Sequence, residues 1–207
     1  MYYIRKYLEI NNGCVWVNGQ RQMQAEATDF GGIMKEFYKQ LGINYPKFYK
    51  MDDLCKLAFI GSEIMLDDSG EKNVALLFSN SESSLETDRK HQQSIASKEA
   101  YFPSPAVFVY TLPNIAIGEV SIRHQLKNES VFFVSDTFPV ETMVPYAEYL
   151  LQSGRAEEVL CAWIYKWDNE YKAFFYLVGK QGTKEHSINE LVLTFLIEAK
   201  NSYFCSV

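Results

Sequence analysis

Three short apolar runs set the limits on what this chain can fold into. Val74-Ala-Leu-Leu-Phe78, Val131-Phe-Phe-Val134 and the run after Glu158, Val-Leu-Cys-Ala-Trp-Ile-Tyr165, show no alternation of polar and apolar residues. A strand with one wet face alternates; a strand that does not is covered on both faces of its sheet. Helical stripes separate these runs. Leu54, Leu57, Ala58, Gly61, Ile64 and Met65 recur at three- and four-residue spacing over 51–66, and Asp67-Asp68-Ser69-Gly70 ends that helix. Val140, Met143, Val144, Ala147, Leu150 and Leu151 form a second stripe, and Ile188, Leu191, Val192, Phe195 and Leu196 a third, over 187–200. Strands alternating with helices predict an α/β layered domain with a mixed sheet.

The remaining punctuation fits that plan. Asn12-Gly13 predicts a hairpin turn between extended segments within residues 1–19, and Asp168-Asn169 returns the third run to Ala173-Phe-Phe-Tyr-Leu-Val178. Thr28 or Asp29 opens a short helix over 28–41, and 42–50 reads as irregular. Ser83-Ser84-Leu85-Glu86 has capping-box spacing and starts a helix reaching about Ser97. Residues 107–126 read as helical with a break at Pro113.

The chain has 207 residues, 47% of them hydrophobic, which is enough for one domain with a sizeable core. The net charge is −6, and no Lys/Arg run forms the basic face that a nucleic-acid partner requires. Cys14, Cys55, Cys161 and Cys205 are widely spaced with no CxxC, so neither a zinc nor a redox site is predicted, and no cofactor or metal is implied. Cys55 and Cys161 read as small buried apolar residues. The amino terminus has no apolar core of a signal peptide, and the uncharged stretch 100–118 carries three prolines, so it reads as buried core and not as a membrane span.

Three local sequences carry a resemblance: Ser79-Asn-Ser-Glu-Ser-Ser-Leu-Glu-Thr-Asp-Arg89, the long stretch Pro103 to Leu126, and Ser153-Gly-Arg-Ala156 followed by an apolar strand. They resemble the β-ketoacyl synthases of the thiolase-like superfamily, in particular ketosynthase-like proteins of aryl polyene and related pigment pathways. The resemblance covers roughly residues 73–165 and covers the first seventy poorly. It implies a truncated thiolase-like fold, the amino-terminal half of a ketosynthase: a mixed, mainly parallel five-stranded sheet with helices packed on it, as a single domain over residues 1–207. The chain stops where the second half, with its two catalytic histidines, is expected; His186 lies in a segment without their motifs.

In this family a reactive cysteine sits at the turn after the second run. Here that turn is Ser135-Asp136-Thr137, with Thr137 at or within one residue of the nucleophile position. A helix start favours negative charge, and Asp136 or Thr137 is expected to cap it. A threonine nucleophile needs a positioned base, and the spacing of His91, His124 and His186 places none beside it. His124, near a helix end, reads as a cation favourable to a helix C-terminus. The resemblance therefore implies a non-catalytic subunit of chain-length-factor type, in the cytoplasm. Its partner is a catalytic ketosynthase subunit in a heterodimer, with acyl carrier protein engaged indirectly. Val131, Phe132, Phe133 and Val134 are the expected edge-strand interface, joined by Phe108 and Tyr110. Two alternatives stand: a small acyl-thioester hydrolase or transferase using Asp136 and Thr137, and a self-associating homodimeric scaffold.

Overall fold

The computed structural model describes residues 1–66, 73–99 and 101–201, with side chains through Phe195. The expected helix stop at 67–70 and the side chain of Leu196 in the closing stripe lie outside what is described. The elements run β1 (Tyr3–Asn11), β2 (Cys14–Val17), β3 (Gln20–Gln24), α1 (Phe30–Gln40), α2 (Asp53–Met65), β4 (Val74–Asn80), α3 (Leu85–Ile95), α4 (Pro105–Val109), α5 (Ile115–His124), β5 (Ser130–Val134), α6 (Val140–Gln152), β6 (Glu158–Trp167), β7 (Glu170–Gly179), β8 (Lys184–Glu185) and α7 (Ile188–Asn201), with a 3-10 turn at Pro46–Lys50 between α1 and α2.

One sheet runs through them in the order β3-β2-β1-β7-β6-β4-β5, with β8 added beside β1. The predicted mixed sheet is present, but it has eight strands and not five. It is also not mainly parallel. Parallel pairing is confined to β6-β4-β5, and every other pairing is antiparallel. The difference comes from tight turns, which can only join antiparallel strands. Asn12 and Gly13 sit at φ 47 and 71, and a second pair, Asn18 and Gly19, at φ 50 and 77. Both pairs have the two left-handed residues that a two-residue hairpin needs. The second pair adds β3, an element its Asn-Gly signal announced and the sequence reading passed over.

Helices cover both faces. Residues of α1, α2 and α5 pack on one face with Leu76, Phe78, Leu160 and Phe175, forming the first core. Residues of α6 and α7 pack on the other with Leu77, Val159, Cys161 and Tyr176, forming the second. All seven residues of β4 are buried, as its unbroken apolar run predicts. Asp29 opens α1 by accepting the Gly32 N–H at 2.9 Å, as expected of an N-cap. Asp52 does the same for α2 with the Cys55 N–H at 2.9 Å.

Two expectations fail in informative ways. The capping box at 83–86 does not form: Ser84 has the N-cap position of α3 without a side-chain cap bond. Its hydroxyl instead donates to the Thr111 carbonyl at 2.8 Å, tying α3 to the break after α4. The stretch 100–118 is buried core only in part: Tyr110, Ala116 and Ile117 join the first core, but most of its other large apolar residues do not. Tyr101, Phe102, Phe108, Val109 and Leu112 are all at least half exposed, because α4 is a short surface helix that the Pro113 region separates from α5.

Gly61 lets α2 lie directly on β7. A Cβ there would come within 2.2 Å of the Phe175 ring. Gly61→Ala is therefore expected to destabilise the protein by roughly 1–3 kcal/mol, as overpacking does. Urea denaturation checks this, and Phe175→Leu in the same chain should recover part of the loss.

His186 is a buried cost. Its side chain is 0% exposed and its Nδ1 lies 3.7 Å from Glu148 Oε1. Neither ring nitrogen has a hydrogen-bond partner among the described residues. Burial pulls its pKa down to about 4. The unfolded chain then takes up a proton between pH 6.5 and 4 that the folded chain refuses. Stability is full above the unfolded value and falls as pH drops through that window, by up to about 3 kcal/mol. Chemical denaturation at pH 7, 5.5 and 4.5 should show this decline in the wild type and a flatter one in His186→Phe.

Candidate functional site

Three strands run parallel at one side of the sheet, and their connections leave in opposite directions. The chain leaves β4 for α5 on the first-core face and leaves β5 for α6 on the second-core face. In an open α/β sheet the crevice outside the carboxyl ends of two such strands is the usual place for a site. The turn at residues 135–139 lies there.

Asn80 builds this corner. It ends β4, is 1% exposed, and accepts the Ser83 N–H at 2.9 Å through Oδ1 while donating Nδ2–H to the Ser83 carbonyl at 2.8 Å. Its own carbonyl accepts the Ser135 N–H at 2.9 Å. Both loops that leave the switch point therefore hang from one residue. Ser83 is held at φ 52, a left-handed conformation that a non-glycine residue adopts only with local support. One residue earlier in β4, Ser79 donates to the Ala162 carbonyl at 3.0 Å and fixes β4 to β6.

The turn itself carries little chemistry. Asp136 and Thr137 are both exposed. Neither caps α6: its N-cap is Pro139, with no side-chain cap bond. The expected cap fails because the helix starts later than the turn suggests. The Pro139 carbonyl takes the first helical bond, from Met143 N–H at 2.9 Å, which leaves Asp136 a full turn away in sequence. Phe138 fixes the turn instead. Its ring lies 5.2–6.3 Å from those of Trp163, Phe174, Tyr176 and Phe195, inside the second core. Sequence reasoning passed over Phe138, although an aromatic just before a helix is a signal of a buried entry point.

The histidines are dispersed. His91 stacks beside Phe108 at 5.3 Å, and His186 sits against Glu148 and Tyr176. His124 is the last residue of α5, where the sequence placed it near a helix end, and its Nε2 lies 3.2 Å from Glu63. That contact belongs to a clamp between α2 and α5. Arg123 donates to Glu63 from Nε at 2.6 Å and Nη2 at 2.9 Å. Burial alone would raise the Glu63 carboxyl; the bonds from His124 and Arg123 outweigh it and hold the group at about 2. Among the described contacts no histidine reaches Asp136 or Thr137. Cys55 and Cys161 are buried and free, as read from the sequence. Burial pushes the Cys161 thiol up to about 12 and the Cys55 thiol well up, so neither is a thiolate at neutral pH.

Among the described residues, the strand beside the turn is an open edge. Glu129 accepts the Leu76 N–H at 3.0 Å, and Ser135 donates to Asn80. Residues of a parallel strand alternate between bonding one neighbour and facing the other. The odd-numbered residues therefore bond β4, and Ser130, Phe132 and Val134 turn their N–H and C=O groups outward. Val131 and Phe133 pack on the second core and Phe132 on the first. None of these residues is fully buried, and Val134 is 56% exposed, so β5 lacks the two-sided burial its apolar run predicts. Phe108 stands on the surface at 60% exposure. Tyr110 does not join it: it is buried, its hydroxyl donates to Glu119 Oε1 at 3.2 Å, and burial with the adjacent carboxylate raises its phenol.

No family model matches this sequence, and no curated protein matches it. Solved structures do. The chain is similar to the ishigamide ketosynthase/chain length factor at TM-score 0.63 and 14% identity, over 86% of this chain and 62% of that one. It is similar to a ketosynthase in complex with its chain length factor from Xenorhabdus doucetiae at TM-score 0.60 and 15% identity, over 87% and 79%. It is also similar to a type II polyketide synthase acyl-carrier protein–ketosynthase complex at TM-score 0.59 and 14% identity, over 87% and 62%. The chain thus spans less than two thirds of the first and third of these. At such identity the likeness is one of fold, and the fold is the thiolase-like fold of the β-ketoacyl synthases.

Asn80→Ala removes both side-chain bonds to Ser83 and leaves its amide without an acceptor. The expected loss is about 1–3 kcal/mol, measured by chemical denaturation, with Asn80→Asp costing no less, because its second oxygen would face the Ser83 carbonyl and bury a charge. Thr137→Ala, at an exposed position, should stay within about 0.5 kcal/mol of wild type.

Proposed function

We propose that this chain is a non-catalytic ketosynthase-like subunit of chain-length-factor type. It works in the cytoplasm beside a catalytic β-ketoacyl-ACP synthase that makes fatty acid or polyketide chains of the aryl polyene kind. Acyl carrier protein docks on the ketosynthase and meets this chain only indirectly. One observation carries the reading: among the described residues, the switch-point turn offers exposed Asp136 and Thr137 with no thiol or imidazole partner, while the strand leading into it leaves an apolar edge open. A condensing site needs an activated nucleophile. An open apolar edge needs a covering strand, since unpaired it templates aggregation.

The geometry of β5 supports pairing with another subunit. The outward N–H and C=O groups of Ser130, Phe132 and Val134 can take an added strand, and Phe108, exposed on α4, is the further apolar residue assigned to the interface. Tyr110 takes no direct part and acts by holding α4 to Glu119. The hydrolase alternative lacks a base for Thr137, and no contact favours it.

Co-expression of the tagged chain with the ketosynthase encoded beside it should yield a stable one-to-one complex by light scattering after gel filtration. Failure of any ketosynthase from the same gene neighbourhood to co-purify overturns the proposal.

A further inference from the structure

We infer that Asn18 is a site of spontaneous covalent modification, deamidating to aspartate and isoaspartate, while Asn12, which stands in the same Asn-Gly dipeptide, is protected by the fold.

The sequence treats the two positions alike. In both, glycine follows the asparagine, and with no Cβ it leaves its backbone nitrogen open to the neighbouring side chain. The chemistry at residue 18 is self-contained. The Gly19 nitrogen attacks Cγ of Asn18. The N–Cγ bond forms, the Cγ–Nδ2 bond breaks, and ammonia leaves with the proton of the glycine N–H. The product is a five-membered succinimide. Water then opens the ring at either carbonyl. Cleavage of the new bond to Cγ restores the main chain and leaves aspartate. Cleavage of the original peptide bond routes the main chain through Cβ and Cγ and leaves isoaspartate. Water is the one co-reactant, and nothing is oxidised or reduced.

The structure separates the two positions. The planar ring fixes the rotation about Cα–C of the asparagine, and a two-residue hairpin turn sets that rotation differently. The rate therefore follows how often each turn opens. At Asn12 opening is strongly opposed. The Gly13 N–H, which holds the attacking nitrogen, donates to the Tyr171 hydroxyl at 2.6 Å, and the Gly13 carbonyl accepts the Ala25 N–H at 2.8 Å. The hairpin lies inside the sheet, with β7 beside β1 and β3 beside β2. Gly13 is buried, and Cys14 and Val15 after it are 0% exposed, so opening would bring core into water.

At Asn18 the opposition is slight. Among the described residues the Gly19 N–H has no hydrogen-bond partner. The turn joins β2 to the end strand β3, four of whose five residues are exposed, and their ladder already shifts register between Val15 and Trp16. Two bonds tie Asn18 to β1: its N–H donates to the Tyr7 carbonyl and its Oδ1 accepts the Tyr7 N–H, both at 3.0 Å. Asn18 is exposed, so water replaces both at little net cost.

The two products differ in effect. Aspartate keeps an oxygen for the Tyr7 N–H. Isoaspartate adds a backbone atom to a turn that fits two residues, so β3 loses its register. Strand β3 lays polar side chains along the edge of Cys14–Val17, and its release uncovers that apolar edge.

The test ages the full chain in mildly alkaline buffer. Peptide mass spectrometry with electron-transfer fragmentation reads aspartate and isoaspartate at positions 12 and 18 over time. The chain unfolded in urea is the reference, in which both dipeptides react at similar rates. In the folded chain position 18 should convert about tenfold or more faster than position 12. Tyr171→Phe keeps the ring against Phe30 but removes the acceptor of the Gly13 N–H. It should speed conversion at position 12 severalfold and leave position 18 unchanged, with circular dichroism verifying the fold. Hydrogen exchange over residues 20–24 should be faster in the isoaspartyl fraction than in fresh protein. Equal rates at the two positions of the folded chain, or no conversion at position 18 when the unfolded chain converts, overturns the inference. If Tyr171→Phe leaves position 12 as slow as before, the protection assigned to the Gly13 N–H falls.

Discussion

Strand β4 is the constraint from which the rest of the architecture follows. Its seven residues are all buried, and both its edges are bonded to parallel neighbours. Parallel strands cannot be joined by a hairpin, so each neighbour must be reached by a crossover. A strand covered on both faces also needs helices on both faces. One arrangement meets both demands: the crossover out of β4 covers the first face and the crossover out of β5 covers the second. The switch point at Asn80 and the position of β5 at the end of the sheet are consequences of that arrangement, not separate features.

The two ends of the sheet show different treatment. Strand β3 is Gln-Arg-Gln-Met-Gln, largely exposed, and its pairing with β2 shifts register between Val15 and Trp16. Arg21 lies over Trp16 at 6.0 Å, and Gln40 from α1 donates to the Gln24 carbonyl at 3.0 Å. Polar side chains, an irregular register and a covering helix are the usual guards of an exposed edge. Strand β5 has none of them. Its residues are Ser-Val-Phe-Phe-Val, with regular pairing to β4 and an aromatic groove alongside. On the proposed reading, the guarded edge is one to be kept apart and the apolar edge one to be joined.

Much of the fold was legible because it depended on local chemistry. The apolar run 74–78 meant burial on both faces, the Asp29 cap and the Asn12-Gly13 turn act within a few residues, and each is where the sequence placed it. What the sequence hid was non-local. Most apolar residues of 101–112 look like core in isolation, yet only the break around Pro113 and the packing of α5 on α2 decide that all but Tyr110 stay largely outside. Ser84 satisfies the spacing of a capping box, but the Thr111 carbonyl, twenty-seven residues away, takes its hydroxyl. The candidate site followed the same division. The position of the turn was readable from the order of elements. Its anchoring was not, because Asn80 bonds Ser135 and Phe138 reaches Phe195 only once the sheet is assembled.

On the proposed reading, the switch-point turn carries no nucleophile and still has a physical reason to remain well built. The Asn80–Ser135 bond is the last rung between β4 and β5, so it keeps Val134 extended and its outward N–H and C=O aligned with those of Phe132. Phe138, set among four aromatic rings of the second core, fixes where α6 starts and therefore where Tyr146 and Tyr149 stand relative to the strand. The corner that would hold a reactive group in a condensing enzyme here sets the line of an edge strand and the wall of the groove beside it. On the proposed reading, loss of the thiol removes chemistry from this corner and leaves its geometric task intact, since neither Asn80 nor Phe138 depends on what occupies residues 136 and 137.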